Sequence, residues 1–309
     1  MTQAINASLL FYPQGDQARR LAALWMFTGL LSAWILLFGH AVLGFEQAWS
    51  YPLVGVGTAI AVQMLLEWVD ARARGRPLRF AGSAANFVHF LPPAIIPGLA
   101  LSMLIFPGEN LWPLAFAAAL AIASKVLFRA PVAPGVSQHM FNPSNLAVAV
   151  TLVLFPTSVG LAPPYQFTEN VSGLWDWGVP TFVLVSGIVM HRFFTGRFPL
   201  IAAWIVGFLA QGQIRAWLFD IPWTVPILPM TSAAFIIFTL YMIPDPATTP
   251  IKPRQQVLFG LAVAGVYGVL QVMQVAFGLF FALVLVCGVR GLMLYLAAAR
   301  WTVSPAATT

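Results

Sequence analysis

The sequence predicts an all-α polytopic membrane protein with about ten transmembrane helices. Of its 309 residues, 60% are hydrophobic and only 8% are charged, and the mean hydropathy is +0.86. Soluble domains carry about 25% charged residues, so the composition excludes an ordinary soluble protein. About 20 apolar residues cross a bilayer, and the chain is long enough for roughly ten such spans with short loops between them.

Ten apolar runs follow one another along the chain and divide it into two sets of five. We expect a cytoplasmic N-terminal segment over residues 1–18, a first five-helix half over 19–158 and an extracytoplasmic connector over 159–176. A second five-helix half over 177–300 and a C-terminal tail over 301–309 complete the prediction. The first run is a full-length span, so we expect no cleavable signal peptide. The runs cover residues 21–43, 51–69, 82–106, 111–128, 143–158, 177–191, 198–217, 224–243, 256–274 and 276–297.

The basic residues indicate how the helices are oriented. If the N-terminus is cytoplasmic, fourteen of the fifteen Lys and Arg residues fall at or near cytoplasmic ends, and only Arg215 falls outside. This positive-inside asymmetry predicts that both termini face the cytoplasm and that the protein is integral to the bacterial cytoplasmic membrane. It also explains the net charge of +6, so we expect no nucleic-acid partner. The single Cys287 lies in the last run, which excludes a disulfide framework.

The two halves are expected to be inverted repeats, because an odd number of helices in each makes them run in opposite directions. Residues 82–85 (Gly-Ser-Ala-Ala) lie in the third run and resemble residues 231–234 (Thr-Ser-Ala-Ala), in the third run of the second half. Broken helices at matching positions of two halves predict a binding site near the middle of the membrane. Both runs contain prolines, which break or kink helices: Pro92, Pro93 and Pro97 in one, Pro226 and Pro229 in the other.

Two polar turns lead towards apolar runs and predict helix starts. Asn142 precedes Pro143, and Asp245 precedes Pro246. Asn and Asp cap helices by accepting a bond from a free backbone N–H, and Pro is tolerated at the first helical position. We therefore expect Asn142 to cap the fifth helix and Asp245 the ninth, with both facing the interface between the two halves. Alternatively, Asp245 binds a cation or a ligand hydroxyl.

Other polar side chains lie within or at the ends of apolar runs. Lys125 is near the end of the fourth run, where it can neutralise a phosphate or a flavin, pair with Asp245 or extend to the lipid headgroups. Asn86 and His89 lie one helical turn apart beside Ser83, and they can line a polar path or satisfy backbone groups near the proline break. No histidine or cysteine spacing matches a metal site, so we expect no bound metal.

The order of these features resembles a known family of membrane redox proteins. Ala-Ile-Ala-Ser-Lys125 is followed by a Gly/Pro turn, and Phe-Asn-Pro-Ser-Asn145 then opens a helix that ends in Leu-Phe-Pro156. Later, Met-Ile-Pro-Asp-Pro-Ala-Thr-Thr-Pro250 leads through basic residues into another apolar helix. Over residues 60–295 the chain is similar to the RnfD protein of the Rnf electron transport complex and to the NqrB protein of the sodium-pumping NADH:quinone oxidoreductase (Nqr). It also resembles a shorter, stand-alone branch of that family, often labelled an enediyne biosynthesis protein.

The resemblance implies ten helices in two inverted halves, a fold also compared with that of urea transporters, together with flavin binding and electron transfer. The redox members of the family attach FMN covalently through the Thr of a Ser-Gly-Ala-Thr-type motif. Here that region reads Tyr165-Gln-Phe-Thr-Glu-Asn-Val-Ser-Gly173, and no Gly-Ala-Thr occurs in the chain. We therefore expect no covalent FMN, which leaves two alternatives open: a non-covalent flavin, FMN or riboflavin, or the loss of flavin altogether. The candidate cofactor-binding residues are Ser83, Asn86, Lys125, Asn142, Asn145, Asp245 and Thr248.

Three functional hypotheses follow from the sequence. The first is a flavin-associated membrane component of an electron-transfer system, which implies the lipid bilayer and other membrane or redox subunits as partners. The second is a channel or carrier for a small solute that passes between the broken helices. The third is a cofactor-free membrane scaffold for partner proteins. The sequence leaves open whether the chain is itself an enzyme or only an electron-transfer component.

Overall fold

The computed structural model describes residues 25, 27–30, 32–163, 167 and 169–300. The predicted terminal segments 1–18 and 301–309 lie outside the described residues, as does part of the predicted connector. Most of the described residues are helical, as the sequence predicts, and four short strands form two antiparallel pairs. The α-helices are Ser50–Arg74, Ala84–Phe90, Pro92–Leu104, Trp112–Leu127, Pro143–Leu154, Gly178–Met190, Phe198–Leu218, Ala233–Ile237, Pro253–Val272 and Gly278–Ala299. The strands are Ile105–Phe106, Arg129–Ala133, Val136–His139 and Gly160–Leu161.

Five helices in the described part of the chain are long and apolar enough to cross a membrane. A sixth candidate is a pair of segments, Val225–Thr231 and Ala234–Met242, that meet at 76° and form a bent span if they are counted together. These apolar helices fit the predicted membrane protein, whereas the number of ten spans and the inverted halves stay predictions. The five are Ser50–Arg74, Ala84–Leu104, Gly178–Thr195, Pro253–Val272 and Gly278–Ala299.

The chain divides into two compact units that do not follow its order in sequence. Among the described residues, the first unit comprises Lys125–Asn145 and the chain from Val183 onward. The second unit comprises the chain up to Ser124 together with Leu146–Phe182. The candidate residues Lys125, Asn142, Asn145, Asp245 and Thr248 belong to the first unit, and Ser83 and Asn86 belong to the second.

In the second unit, Ser50–Arg74 packs closely against Pro92–Leu104 because small residues face each other. A Cβ added at Gly55 would lie 2.5 Å from the Ser102 hydroxyl and 2.6 Å from the Gly98 carbonyl oxygen. Those distances are too short for any side chain, so the approach of the two helices requires glycine. Small residues at such contacts are characteristic of helix pairs in membranes, where packing rather than the hydrophobic effect holds helices together.

In the first unit, Phe198–Leu218 packs along the length of Pro253–Val272. Gly260 permits this contact, since a Cβ there would lie 2.6 Å from the Leu200 carbonyl oxygen. Trp204, on Phe198–Leu218, is fully buried. It contacts an aromatic group that consists of Phe208, Phe235, Phe238 and Tyr267.

A β-hairpin occupies residues 129–139, where the sequence predicts only a Gly/Pro turn. Strands Arg129–Ala133 and Val136–His139 are antiparallel, with Arg129 opposite His139. Pro134 and Gly135 form the turn between them, and the positive φ of Gly135 (+73°) is the conformation that a Pro-Gly turn of type II requires. The hairpin ends three residues before Asn142, which caps the next helix.

The prediction that Asp245 caps the ninth helix is wrong. That helix begins at Pro253, and the residue before it, Lys252, is extended with φ −70° and ψ 132°. The reason lies in the two later prolines, Pro250 and Pro253. A residue before proline is displaced from helical conformation, and proline donates no backbone bond, so the turn at Asp245 cannot continue into the helix.

Of the two proline-containing runs, the second is bent, as the sequence predicts, whereas the first forms one candidate span, Ala84–Leu104, in which Leu91 keeps helical backbone angles. The first consists of Ala84–Phe90 and Pro92–Leu104, with Leu91 between them. The second is the bent pair that includes Val225–Thr231. A serine caps one helix in each run: Ser83 precedes Ala84–Phe90, and Ser232 precedes Ala233–Ile237. Ser83 accepts from the Asn86 N–H at 3.1 Å, and Ser232 accepts from the Phe235 N–H at 3.2 Å.

Candidate functional site

Nine polar side chains from six separate segments meet within the first unit. Five of them are candidate cofactor-binding residues from the sequence, and the other four were not singled out there. The segments are the end of Trp112–Leu127, the hairpin, the start of Pro143–Leu154, the residue before Phe198–Leu218, the loop after Met242 and the helix Gly278–Ala299. We call this group the Asp245 cluster: Lys125, Gln138, Asn142, Asn145, Arg197, Asp245, Thr248, Thr249 and Arg290.

Asn142 joins the two predicted motifs. Its side-chain oxygen accepts from the Asn145 N–H at 2.9 Å, which is the capping bond expected at the start of Pro143–Leu154. Its side-chain nitrogen faces the other motif and lies 3.3 Å from the Met242 carbonyl oxygen and 3.5 Å from Asp245 Oδ2. The predicted cap is therefore confirmed, and the same amide also reaches a loop that is a hundred residues away in sequence.

Asn145 lies one helical turn beyond Asn142 and is only 1% exposed. Its side-chain nitrogen donates to the Phe280 carbonyl at 3.0 Å. Its side-chain oxygen is buried and has no hydrogen-bond partner among the described residues. A buried carbonyl oxygen without a donor is unfavourable, so this oxygen is a place where a ligand or water with an O–H or N–H group would be stabilised.

Asp245 organises a tight turn rather than a helix. Its Oδ1 accepts from the Ala247 N–H at 3.0 Å, and its Oδ2 accepts from the Thr248 hydroxyl at 3.2 Å. Its backbone carbonyl accepts from the Thr249 hydroxyl at 2.7 Å. Asp and Asn commonly close turns in this way. The carboxylate is thereby held with one oxygen towards Asn142.

The charges around Asp245 are mostly positive. Burial raises the pKa of the Asp245 carboxyl above its ordinary value. The Ala247 N–H, the Thr248 hydroxyl and the charges of Lys125 and Arg197 act on that pKa in the opposite direction. Lys125 is therefore close enough to Asp245 to interact with its charge, as one of the hypotheses from the sequence predicts.

Two arginines that the sequence analysis did not propose complete the cluster. Arg197 is 5% exposed, and its guanidinium donates to the Thr249 hydroxyl at 3.1 Å and to the Pro246 carbonyl at 3.5 Å. Arg290 donates to the Thr248 carbonyl at 3.0 Å. With the Gln138 amide oxygen turned towards it, Arg290 also donates to that oxygen at 2.5 and 2.6 Å.

A signal for Arg290 was present in the sequence. It stands nine residues before Ala299, the last residue of its helix, and so it is not at the helix end to which the charge count assigned it. A charged residue inside an apolar helix is costly and commonly faces a functional interior. Arg197 offered no comparable signal, because basic residues are ordinary at the ends of membrane helices.

Ser83 and Asn86 lie in the second unit and form local bonds. Besides the capping bond to Ser83, the Asn86 side chain donates to the Ala81 carbonyl at 3.0 Å. Both side chains are exposed. His89 accepts from the Trp25 indole N–H at 3.2 Å. The bond from Asn86 fits the hypothesis that this residue satisfies a backbone group, whereas the contact of His89 is with a side chain.

The Asp245 cluster thus combines three cationic side chains, one carboxylate and several amide and hydroxyl groups. Such a site can orient a polar, electron-rich ligand by charge-assisted hydrogen bonds. Comparison with known proteins adds no family, since no protein-family model matches the chain and no curated protein matches it.

Proposed function

We propose that this chain is an integral membrane protein related to the flavin-dependent electron-transport proteins that it resembles. In this proposal it holds a flavin, FMN or riboflavin, without a covalent bond at the Asp245 cluster. Flavins supply hydride and one-electron transfer chemistry. The protein would supply the position and the charge environment of that group.

The observation that carries the proposal is the contact between the two motifs of the resemblance. Asn142 and Asp245 are 103 residues apart in sequence, and their side chains lie 3.5 Å apart. A helix cap and a turn need only local bonds, and each residue already has them. Local structure does not require the additional long-range contact, and this contact therefore supports a shared site.

The chemistry of the cluster fits a flavin. The carbonyl oxygens of an isoalloxazine ring, and the phosphate of FMN, accept hydrogen bonds of the kind that Lys125, Arg197 and Arg290 can donate. The buried side-chain oxygen of Asn145 can accept from the imide N–H of the ring. Reduction adds negative charge to a flavin, and positive side chains stabilise that charge.

An electron-transfer component requires an electron donor and an acceptor, and we propose other membrane or redox subunits in these roles.

We also propose ten spans in two inverted five-helix halves, with both termini in the cytoplasm. The matching serine caps support the repeat, because Ser83 and Ser232 start helices at corresponding positions of the two halves. The cytoplasmic membrane remains the proposed location, on the strength of the basic asymmetry.

A second candidate function is a channel or carrier for a small solute. The bent pair Val225–Thr231 and Ala234–Met242 supports it, because interrupted helices in transporters expose backbone groups that bind solutes. This candidate and the cofactor-free scaffold both predict a colourless protein. Uptake of solute into proteoliposomes would separate a carrier from a scaffold.

Flavin titration of the purified protein in detergent tests the proposal. Binding of FMN or riboflavin quenches flavin fluorescence, so a dissociation constant can be measured directly. We expect saturable binding to the wild-type protein and at least about tenfold weaker binding to Asn142→Ala. This substitution removes the amide that contacts the Asp245 carboxylate, and a charge-assisted hydrogen bond is worth about that factor. Ser83→Ala, a capping serine in the other unit, is the matched control and should bind as the wild type does. No saturable binding of either flavin to the wild-type protein would contradict the proposal.

A further inference from the structure

A π-helical segment, Phe238–Met242, leads into the turn that carries Asp245. The Ile243 N–H shows its register, since it donates to the Phe238 carbonyl, five residues earlier, at 3.0 Å. Such π-helical turns are rare and frequently occur at functional sites. Because only Ile243 and Pro244 separate the segment from Asp245, the position of the segment limits where the Asp245 turn can lie.

Two prolines after the segment remove backbone donors from it. In an α-helix each N–H donates to the carbonyl four residues earlier, so the ordinary partners of the Leu240 and Met242 carbonyls would be residues 244 and 246. Both of these residues are proline, which has no N–H. The two carbonyls therefore lose their ordinary helical partners, and a buried acceptor without a donor is unfavourable.

Two side chains supply donors to these carbonyls. His191 Nε2 donates to the Leu240 carbonyl at 2.7 Å, and the Asn142 side-chain nitrogen donates to the Met242 carbonyl at 3.3 Å. His191 is buried, with 3% of its surface exposed. Because a carbonyl oxygen only accepts, Nε2 carries the proton, and Nδ1 of the neutral ring accepts from the Thr195 hydroxyl at 2.6 Å. Thr195 thereby fixes the tautomer that donates to Leu240.

We propose that His191 is a positioning residue for the Asp245 cluster. It acts through the Leu240 carbonyl and holds the π-helical segment where Met242 and Asp245 meet Asn142. The inference rests on the proposed flavin site for its binding measurement, and it assigns His191 no contact with the flavin. Without this bond the segment can leave the arrangement that binds the ligand. The apparent affinity then falls with the fraction of molecules that keep that arrangement.

A neighbouring bond on the same segment provides the matched control. Trp204 Nε1 donates to the Thr239 hydroxyl at 2.9 Å, and both residues are buried. Thr239→Val therefore removes one buried hydrogen bond from the segment but leaves the donor to the Leu240 carbonyl in place. A purely structural effect would be found in the variants of both residues, whereas a positioning effect would be found only in those of His191.

Flavin titration in detergent tests the proposal. His191→Leu has an apolar side chain without a donor, and we expect at least about fivefold weaker binding of FMN and riboflavin alike. His191→Gln places an amide N–H near the position of Nε2 and should bind within about twofold of the wild type, as should Thr239→Val. Equal affinities of the wild type and His191→Leu would overturn the proposal. Equal weakening by His191→Leu and Thr239→Val, or no recovery in His191→Gln, would overturn it as well.

The protonation of the His191 ring gives a test that does not depend on the folding of His191→Leu. Nitrogen NMR of the histidine rings should show His191 as the Nε2–H tautomer in the wild type, its signal being the one that is lost in His191→Gln. Thr195→Val removes the hydroxyl that fixes this tautomer, and we expect a mixture of the two tautomers there. A wild-type ring protonated at Nδ1 alone cannot donate to Leu240 and would overturn the proposal.

A measurement without flavin separates this inference from the proposed function. If His191 and Asn142 hold one segment, the double variant His191→Leu with Asn142→Ala should lose less melting temperature than the sum of the single losses. The same cycle with Ser83→Ala, in the other unit, should be additive. A non-additive cycle without flavin binding by the wild type would uphold the role of His191 and refute the proposed function. Flavin binding with an additive cycle would do the reverse.

Discussion

The side-chain nitrogen of Asn142 lies 3.5 Å from Asp245 Oδ2, across 103 residues of sequence. Each residue is fixed independently, Asn142 by its capping bond to Asn145 and Asp245 by the N–H of Ala247. Their contact is therefore between two preorganised groups. It brings the two motifs on which the family resemblance rests into one unit of the structure.

Replacement of Asn142 tests the cap. Asn142→Ala should lower the free energy of unfolding by about 0.5–2 kcal/mol, because the Asn145 N–H loses its acceptor. Asn142→Ser keeps a capping oxygen and should lower the free energy of unfolding by less, although it still loses the contact with Asp245. Equilibrium unfolding in mixed micelles gives both values. If Ala and Ser are equally tolerated, the capping bond contributes nothing.

The charge coupling between Lys125 and Asp245 is measurable by a double-mutant cycle. Asp245→Asn should destabilise the protein because Lys125 and Arg197 lose their nearby carboxylate. The double variant Lys125→Met with Asp245→Asn should be less destabilised than the sum of the single changes, by about 0.5–3 kcal/mol. Lys125→Met combined with Ser83→Ala is the control cycle and should be additive. If the changes are additive in both cycles, Lys125 does not interact with Asp245.

Two glycines on the same helix should respond oppositely to alanine. Gly260→Ala places a Cβ 2.6 Å from the Leu200 carbonyl oxygen, so the helices must separate, and we expect a loss of about 1–3 kcal/mol. Gly265 has nothing within 4 Å of the added Cβ among the described residues, and alanine there should stabilise the helix by roughly 0.5–1 kcal/mol. Unfolding measurements that find both substitutions neutral would contradict the close packing of Phe198–Leu218 against Pro253–Val272.

The proposed topology gives a fourth prediction. Reporter fusions at residues 45, 75, 165 and 250 should be located outside, inside, outside and inside the cytoplasmic membrane. The expectation follows from the concentration of Lys and Arg at one set of loops. A cytoplasmic signal from the fusion at residue 165 would exclude the arrangement with ten spans and both termini inside.

Local chemistry explains which parts of the site were predictable from the sequence. Asn142 was identified because Asn-Pro before an apolar run specifies a cap with only local information. The prediction for Asp245 was wrong because its turn has the same sequence signature as a cap, whereas the prolines at 250 and 253 determine where the helix begins. The hairpin was missed because the short segment Arg-Ala-Pro-Val-Ala has no alternation of apolar and polar residues to mark a strand.

Charge pairing was the other part that the sequence could not provide. The count of basic residues treats every arginine alike, yet Arg76 forms ion pairs with Glu67 at 2.5 Å and with Asp70 at 2.5 Å. Arg290, by contrast, binds the uncharged oxygens of Gln138 and Thr248. Neither kind of contact follows from the count of basic residues, so only the folded chain identifies which charges are compensated.

The flavin content of the protein as purified tests the central proposal most directly. The absorbance spectrum in mild detergent should show the blue-region bands of a flavin. After denaturation and ultrafiltration, the flavin should pass entirely into the filtrate, and the intact mass of the retained chain should equal that of the polypeptide. A colourless wild-type protein that also fails to take up FMN or riboflavin would contradict the account, and a retained mass excess equal to FMN would contradict its non-covalent attachment.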